Sequence, residues 1–329
     1  MSRSFPYGIS RSRALQGAAA GFVAFGLLLW WLLPLSEAPP SGTIKFSTGS
    51  PGGVYQEYGD LLSIAFAKDM PDLQVRLRTS AGSQQNIARV ASGEADFAIA
   101  TADAVDSYTL DHPAEAARLR GVARLYDDYV QLVVPPNSDI DSVQDLKGKR
   151  VSIGLPQSGV RLIANEVLEA AGIDPAEDIT PEAYGIDAAD QLGTRFDAFF
   201  WSGGLPTNGL KNLATSFKFV PIDTDLVAKV HAQGGATRYY RATNIPESAY
   251  EGMHPGAAVP TIAVSNLLIT RENVDDRLTQ WLTRTVIRSR DSIGADVHSA
   301  QLVDLRTAIY TAPLQLHDGA RRYYRSVKP

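Results

Sequence analysis

Three turns rich in glycine and serine, at 47–53, 80–83 and 154–159, each stand between a strand pattern and a helix pattern. A chain that repeats strand, turn and helix is confined to α/β layer architectures, because each helix must pack back onto the sheet it has just left. The first unit opens with Thr43-Ile44-Lys45-Phe46-Ser47-Thr48, which alternates polar and apolar residues as a half-buried strand does. Gly49-Ser50-Pro51-Gly52-Gly53 follows, and then Val54, Tyr58, Leu61, Leu62, Ala65 and Phe66 recur at helical spacing. Met70-Pro71-Asp72 breaks that helix. Residues 74–79 alternate again, and Ser80-Ala81-Gly82-Ser83 leads into a helix carrying Ile87, Val90 and Ala91, with Gly93 at its C′ position. The apolar run Phe97-Ala98-Ile99-Ala100 predicts a buried parallel strand.

The pattern then starts over. Residues 130–134 predict a strand ended by Pro135-Pro136-Asn137, and Val151-Ser152-Ile153 another. The turn at 154–159 enters a helix with Ile163, Val167, Leu168 and Ala171, closed by Gly172. Gly193 leads into Phe196-Asp197-Ala198-Phe199-Phe200 much as Gly93 leads into Asp96-Phe97-Ala98, which points to two lobes on one plan. A second crossing strand is expected at 261–265, and the chain from Val274 onward reads as mainly helical, with Leu278, Trp281, Leu282, Val286 and Ile287 on one side. The expected division is 43–132 with 268–329 as lobe I, and 133–267 as lobe II.

The N-terminus sets the compartment. Arg3, Arg11 and Arg13 precede an apolar run from Ala14 to Leu35 that only Gln16 interrupts. At about 1.5 Å per residue such a helix is roughly 30 Å long, enough to cross a bilayer core. The arginines hold the N-terminus in the cytoplasm and place the remainder outside, in the periplasm or on the outer face of the membrane. Pro39 and Pro40 follow the small-residue triplet Ser36-Glu37-Ala38, which disfavours cleavage there, so residues 14–35 read as an uncleaved anchor. The alternative is a signal peptide cut elsewhere. Residues 1–42 are thus an anchor or signal segment with a short linker.

Composition narrows the function. Lys+Arg 31 against Asp+Glu 36 gives a formal charge of −5, which offers nucleic acid no basic footprint. The absence of cysteine removes disulfides, thiolate metal sites and cysteine nucleophiles. His112, His231, His254, His298 and His317 show no metal-ligand spacing and read as surface or capping residues. No Gly-x-Ser-x-Gly elbow surrounds Ser158 or Ser202, and the turn at 49–53 lacks the Gly-Lys-Ser/Thr of a P-loop. Asp127-Asp128 would suit paired catalytic carboxylates but reads more simply as a solvated turn. No cofactor or metal is therefore expected, and no catalysis. The glycine-rich turns lie where strands end and helices begin, and helix starts present unpaired N–H groups and a positive dipole end to a carboxylate or phosphate. Tyr55 and Trp201 are placed either to line a cleft or to pack. Arg161 either contacts a carboxylate or is solvent-exposed or in an ion pair.

Thr48-Gly49-Ser50-Pro51-Gly52-Gly53-Val54-Tyr55 resembles the opening motif of TAXI-type solute-binding proteins, the extracytoplasmic receptors of one branch of the tripartite ATP-independent periplasmic (TRAP) transporters. Four more blocks agree in order and spacing: Ser80 to Asn86; Gly93 to Ala98 with Asp103; Asp145-Leu146-Lys147-Gly148-Lys149-Arg150-Val151 running to Gly159; and Asp197-Ala198-Phe199-Phe200 with Gly203-Gly204-Leu205-Pro206. The resemblance implies a two-lobed, hinged, periplasmic-binding-protein-like (type II) fold with an interlobe cleft. It implies a monomer that captures a dicarboxylate, keto acid or acidic amino acid and delivers it to a TRAP-type permease driven by an ion gradient. It nominates Thr48, Gly52, Gly53 and Tyr55 from the first turn, Ser80, Gly82, Ser83 and Asn86 from the second, Thr101 from the next strand end, and Ser158, Gly159, Ala198, Phe199 and Gly203 from the other lobe. Thr101 stands where many members have glutamine, and Val160 where threonine is common, so the solute is expected to depart from the usual ones. A sensory adaptor of the same fold, reporting to a membrane signalling protein, is the second reading, and an enzyme on this fold the third.

Overall fold

The computed structural model describes residues 16, 21–26, 38–213, 217–250 and 257–327. Contacts divide the chain into Met1–Ala38 and Pro39–Pro329. In the first unit, residues 21–26 are helical and exposed. Among the described residues no helix is long and apolar enough to cross a membrane, and most of the expected segment 14–35 lies outside them.

Pro39–Pro329 is organised on one ten-stranded sheet. Its first parallel block sets β1 (Gly42–Ser47) between β2 (Leu73–Arg78) and β3 (Phe97–Thr101), with helices α1 (Val54–Asp69) and α2 (Ser83–Ser92) in the crossovers. Strand β3 runs directly into α3 (Ala102–Asp111). Two long antiparallel strands follow in the sheet order, β10 (Val259–Arg271) beside β3 and β4 (Leu119–Val134) beside β10. The second parallel block places β5 (Arg150–Ser152) between β6 (Thr180–Glu182) and β7 (Ala198–Gly203), with α4 (Gly159–Ala170) leading out of β5. Strand β4 joins this block by pairing residues 129–133 with β7. Short strands β8 (Lys218–Phe219) and β9 (Arg241–Ile245) flank β4 and β10, with α5 (Thr224–Ala232) between them.

Side-chain alternation sorts the core. In β3, Phe97 and Ile99 join a cluster with Phe46, Tyr58, Leu62 and Phe66, whereas Ala98 and Ala100 join Ile87, Val90 and Val105 on the other face. Both faces are covered, as a parallel strand requires. A separate cluster, drawn from 130–264, packs Val151, Ile163, Val167, Phe196, Phe199 and Phe200 around the second block.

Two regions differ from the sequence pattern. Strand β4 begins at Leu119, not near Val130: charged residues interrupt the apolar run, and of these Arg124 and Asp127 are paired within the fold. After α6 (Asp276–Arg288) the chain is not mainly helical: it makes short turns at Arg290–Ile293 and His298–Leu302 and then lies irregularly along β4. There Arg124 N donates to Ala308 O (2.8 Å), Gly121 N to Gln315 O (2.9 Å) and His317 N to Gly121 O (2.9 Å). Gly121 permits this approach, since a Cβ on it would stand 2.3 Å from Thr311 Cβ. The chain becomes helical again in α7 (Asp318–Val327), where buried His317 caps the start by accepting from Gly319 N at 3.1 Å.

Candidate functional site

Strands β1, β2, β3 and β5 all deliver the chain, at their carboxyl ends, to a helix start, and these starts surround a single cavity of about 50 Å³. Gly49, Ser50, Gly53, Val54 and Tyr55 line it from the first turn, Ala81, Gly82 and Ser83 from the second, and Thr101 from the end of β3. Across from them stand Gly154, Leu155, Ser158, Gly159 and Val160 of the β5–α4 turn, and Trp201, Ser202 and Gly203 of β7. Asp128, Tyr184 and Gly185 complete the lining.

The N-caps decide what these helix starts can do. Helices α1, α2 and α3 carry Gly53, Gly82 and Thr101 at the cap, and none of the three receives a side-chain cap bond. No N-cap side chain thus takes their first N–H groups, although Gln85 N of α2 donates to Gln157 O, and their dipoles favour an anion. Helix α4 differs: Ser158 Oγ accepts from Arg161 N at 3.0 Å. Ser158→Ala is therefore expected to cost about 1 kcal/mol of stability through the lost cap, besides weakening any ligand contact. A melting temperature equal to that of the parent would show that the cap is not needed.

The turns approach closely across the cavity. Gly82 has φ +136, and a Cβ on it would meet Ser158 Cα at 3.3 Å, while a Cβ on Gly159 would meet Ser83 Oγ at 2.9 Å. Gln84 Nε2 donates to Ser158 O (3.1 Å) and Gln85 N to Gln157 O (3.1 Å), and Gln157 holds a left-handed φ of 64 to accept it. Asn208 donates to Glu57 (2.9 Å), Tyr240 to Asp103 (2.9 Å) and Arg238 to Asp106 (2.6 Å) between the same two parts of the sheet. Gly82→Ala combines backbone strain with contact against Ser158, and is expected to lower stability by about 2 kcal/mol, read by denaturant unfolding. An unchanged midpoint would show that the turn relaxes.

Inside the cavity the polar groups form a chain. Thr101 N donates to Ser83 Oγ (3.2 Å), and Tyr55 Oη donates to Asn266 Oδ1 (2.5 Å). The Ser83–Tyr55 contact of 3.0 Å is then a Ser83 donation. Burial, with the charge of Asp128 next, lifts the Tyr55 phenol well above its usual range, so it stays protonated. Thr101 Oγ1 and Ser202 Oγ are buried and have no hydrogen-bond partner among the described residues.

Asp127 and Asp128 lie in β4 and are buried, which corrects the expected solvated turn. Arg124 and Arg241 hold the two oxygens of Asp127 at 2.7 and 2.6 Å. Burial raises the Asp127 pKa, but the two arginines outweigh it and leave the carboxyl low. Asp128 has no such pairing. Burial pushes its pKa up to about 7, the neighbouring Asn266 amide opposes the rise, and the charges of Asp127 and Asp103 add to it.

Of the nominated residues, Gly53, Tyr55, Gly82, Ser83, Thr101, Ser158, Gly159 and Gly203 line the cavity. Thr48, Gly52, Ser80, Asn86, Ala198 and Phe199 do not. Thr48 Oγ1 donates to Arg78 O (3.2 Å), and Ser80 Oγ donates to Thr48 O (3.0 Å) and accepts from Gly82 N (3.1 Å), so both tie turns together. Gly52 is exposed at φ +71, with its N–H donated to Gln56 Oε1 at 3.1 Å. Asn86 is wholly buried behind the first two turns. Ala198 and Phe199 belong to the core, where Phe199 stacks near-parallel to Trp201, with interplanar angle 5° and centroids 6.3 Å apart. Trp201 and Val160 do reach the cavity, whereas Arg161 turns its Nε to Gly154 O at 3.2 Å. Asp128, Ser202, Tyr184 and Leu155 line the cavity as well, outside the nominated set. Ser202 has a signal in the sequence, since it lies on the same strand as the nominated Ala198, Phe199 and Gly203. Among the described residues no group of three or more His, Asp or Glu is placed to hold a metal ion.

The model of the NMT1-like family matches residues 46–327. The chain belongs to the NMT1-like family. Among solved structures, this NMT1-like protein is similar to a putative L-cystine ABC transporter from Listeria monocytogenes, at 15% identity over 80% of this chain and 98% of that one, with a TM-score of 0.50. PhnD1 from Prochlorococcus marinus (MIT 9301), in complex with methylphosphonate, matches at 14% identity over 79% and 89%, TM-score 0.49. The alkanesulfonate-binding protein SsuA from Xanthomonas axonopodis pv. citri, bound to MOPS, matches at 15% identity over 89% and 86%, TM-score 0.48. The first similarity shows a common α/β periplasmic-binding-protein-like fold.

Proposed function

We propose that this NMT1-like protein is an extracytoplasmic solute-binding receptor that closes on a small carboxylate-bearing solute and delivers it to a TRAP-type permease. The observation that carries this reading is the convergence of four helix starts on one cavity, three of them without a side-chain cap, beside the unpartnered hydroxyls of Thr101 and Ser202. Buried hydroxyls without partners cost stability in the empty protein and regain it when a solute bonds them. Residues 43–132 with 268–329 and residues 133–267 are the two bodies that would open and close, with β4 and β10 as the connecting strands. Residues 14–35 would hold the receptor at the membrane. The TRAP assignment rests on the motif at 48–55, and the function is capture rather than chemistry on the solute.

A thermal-shift screen of the full-length chain against dicarboxylates, keto acids and amino acids tests the reading. A solute at 100 times its dissociation constant adds about 2.7 kcal/mol. No shift with any carboxylate, or recovery of the solute chemically altered, would refute it. Solute uptake into proteoliposomes with the partner permease, driven by a sodium gradient without ATP, tests the permease class.

A further inference from the structure

Asp128 is the acid in this cavity that the protein leaves without a counter-charge. It is 3% exposed, and its Oδ1 has no hydrogen-bond partner among the described residues. The two arginines nearest in the network are already committed: Arg124 and Arg241 both grip Asp127, and Arg124 Nε also donates to Ser265 Oγ at 3.0 Å. Among the described residues no lysine, arginine or histidine lines the cavity. The other groups around Asp128 are Asp103 and Asp127, which repel it, and Asn266, Tyr55 and Tyr126, which are neutral. A buried carboxylate left this way is expensive unless something else supplies a positive charge.

The rest of the lining fits an incoming cation at this end and an anion at the other. Tyr55, Tyr184 and Trp201 put aromatic surface on the same cavity, and aromatic faces attract ammonium groups. Strand pairing sets Tyr129 opposite Gly203, so Asp128 sits next to the Ser202–Gly203 end of β7, with the uncapped starts of α1, α2 and α3 on the remaining walls.

We propose that the solute carries a protonated amine beside its carboxylate, as an amino-acid-like zwitterion does, and that Asp128 is the residue that selects the amine. This rests on the receptor reading above and narrows it. A dicarboxylate or keto acid brings a second negative charge or lone pair against Asp128, whereas an ammonium supplies the missing donor and charge together.

The test is titration calorimetry on the full-length chain with matched probes: L-glutamate against glutarate, L-alanine against propionate, L-leucine against 4-methylpentanoate, and the remaining α-amino acids against their des-amino acids. At least one amino acid is expected to bind, its des-amino partner about 100-fold more weakly, and Asp128→Asn to lose about 100-fold for the amino acid alone. A des-amino acid that binds as tightly as its amino acid would overturn the proposal, pointing to a protonated Asp128 that donates to a carboxylate. So would an Asp128→Asn protein that binds the amino acid with parent affinity. Binding by neither series, together with no thermal shift from any keto acid, would remove the receptor reading itself, which separates the two failures.

Discussion

Asp128→Asn is expected to stabilise the protein, and to do so more at pH 8 than at pH 5. The carboxyl titrates near 3.8 when unfolded and at about 7 when folded. Between those values the folded state binds a proton that the unfolded state does not, so stability falls as pH rises through the window. Below about 3.8 both states are protonated and the asparagine has no advantage; above about 7 both are ionised and the advantage is complete. A separation of about three units corresponds to about 4 kcal/mol at most, so the gain from Asp128→Asn should be about 2.6 kcal/mol larger at pH 8 than at pH 5. Urea unfolding of parent and variant at the two pH values measures it. A gain that is equal at both pH values would mean that Asp128 is not held in its protonated form by burial. The same substitution is expected to cost amine binding, which makes Asp128 a residue where stability is given up for selectivity.

Asn86→Ala should act in the opposite direction. The side-chain amide donates to Thr48 O at 2.6 Å and to Ile99 O at 2.8 Å, and accepts from Ser47 Oγ at 2.7 Å. It thereby ties the end of β1 to β3 from within α2. Alanine takes a donor from Ile99 O and leaves the Ser47 hydroxyl proton without an acceptor in a buried place, while Ser47 Oγ keeps the bond from Arg89 Nη1 (3.0 Å) and Thr48 O keeps the Ser80 bond. At 1–3 kcal/mol for each unsatisfied group, the loss is about 3 kcal/mol, a fall in melting temperature of roughly 6–12 °C. Affinity per folded molecule should change little, because Asn86 does not line the cavity. Normal melting with weakened binding would return Asn86 to the site.

Asn86 also shows where the sequence stops being informative. The turns at 47–53, 80–83 and 154–159 were legible because glycine, serine and the change from period 2 to period 3.6 mark a strand end meeting a helix start. Those marks do not say which hydroxyls and amides face the cavity and which lash the turns to one another. Ser83 and Ser80 stand three residues apart in one motif, yet Ser83 lines the cavity and Ser80 bonds Thr48 O. Asp128 was hidden for a different reason. Arg120, Arg124, Asp127 and Asp128 break the apolar pattern of β4, and the groups that pair or surround them, Arg241, Ser265 and Asn266, lie more than a hundred residues later. The irregular chain between His298–Leu302 and α7 is held mainly by the backbone of β4, and backbone pairing of that kind leaves no period in the side chains.

The position of β10 has a consequence for how such a chain is made. It is the last strand in sequence among the described residues, yet it lies between β3 and β4 in the middle of the sheet. Until residues 259–271 have been synthesised, β3 has no neighbour on that side and β4 lacks the partner that runs along most of its length. Pairing at such long range is slow, since the loop must close before any contact rewards it. A nascent chain of this design therefore stays without its central ladder during most of its synthesis, and the two parallel blocks join through β10 only once its C-terminal third exists.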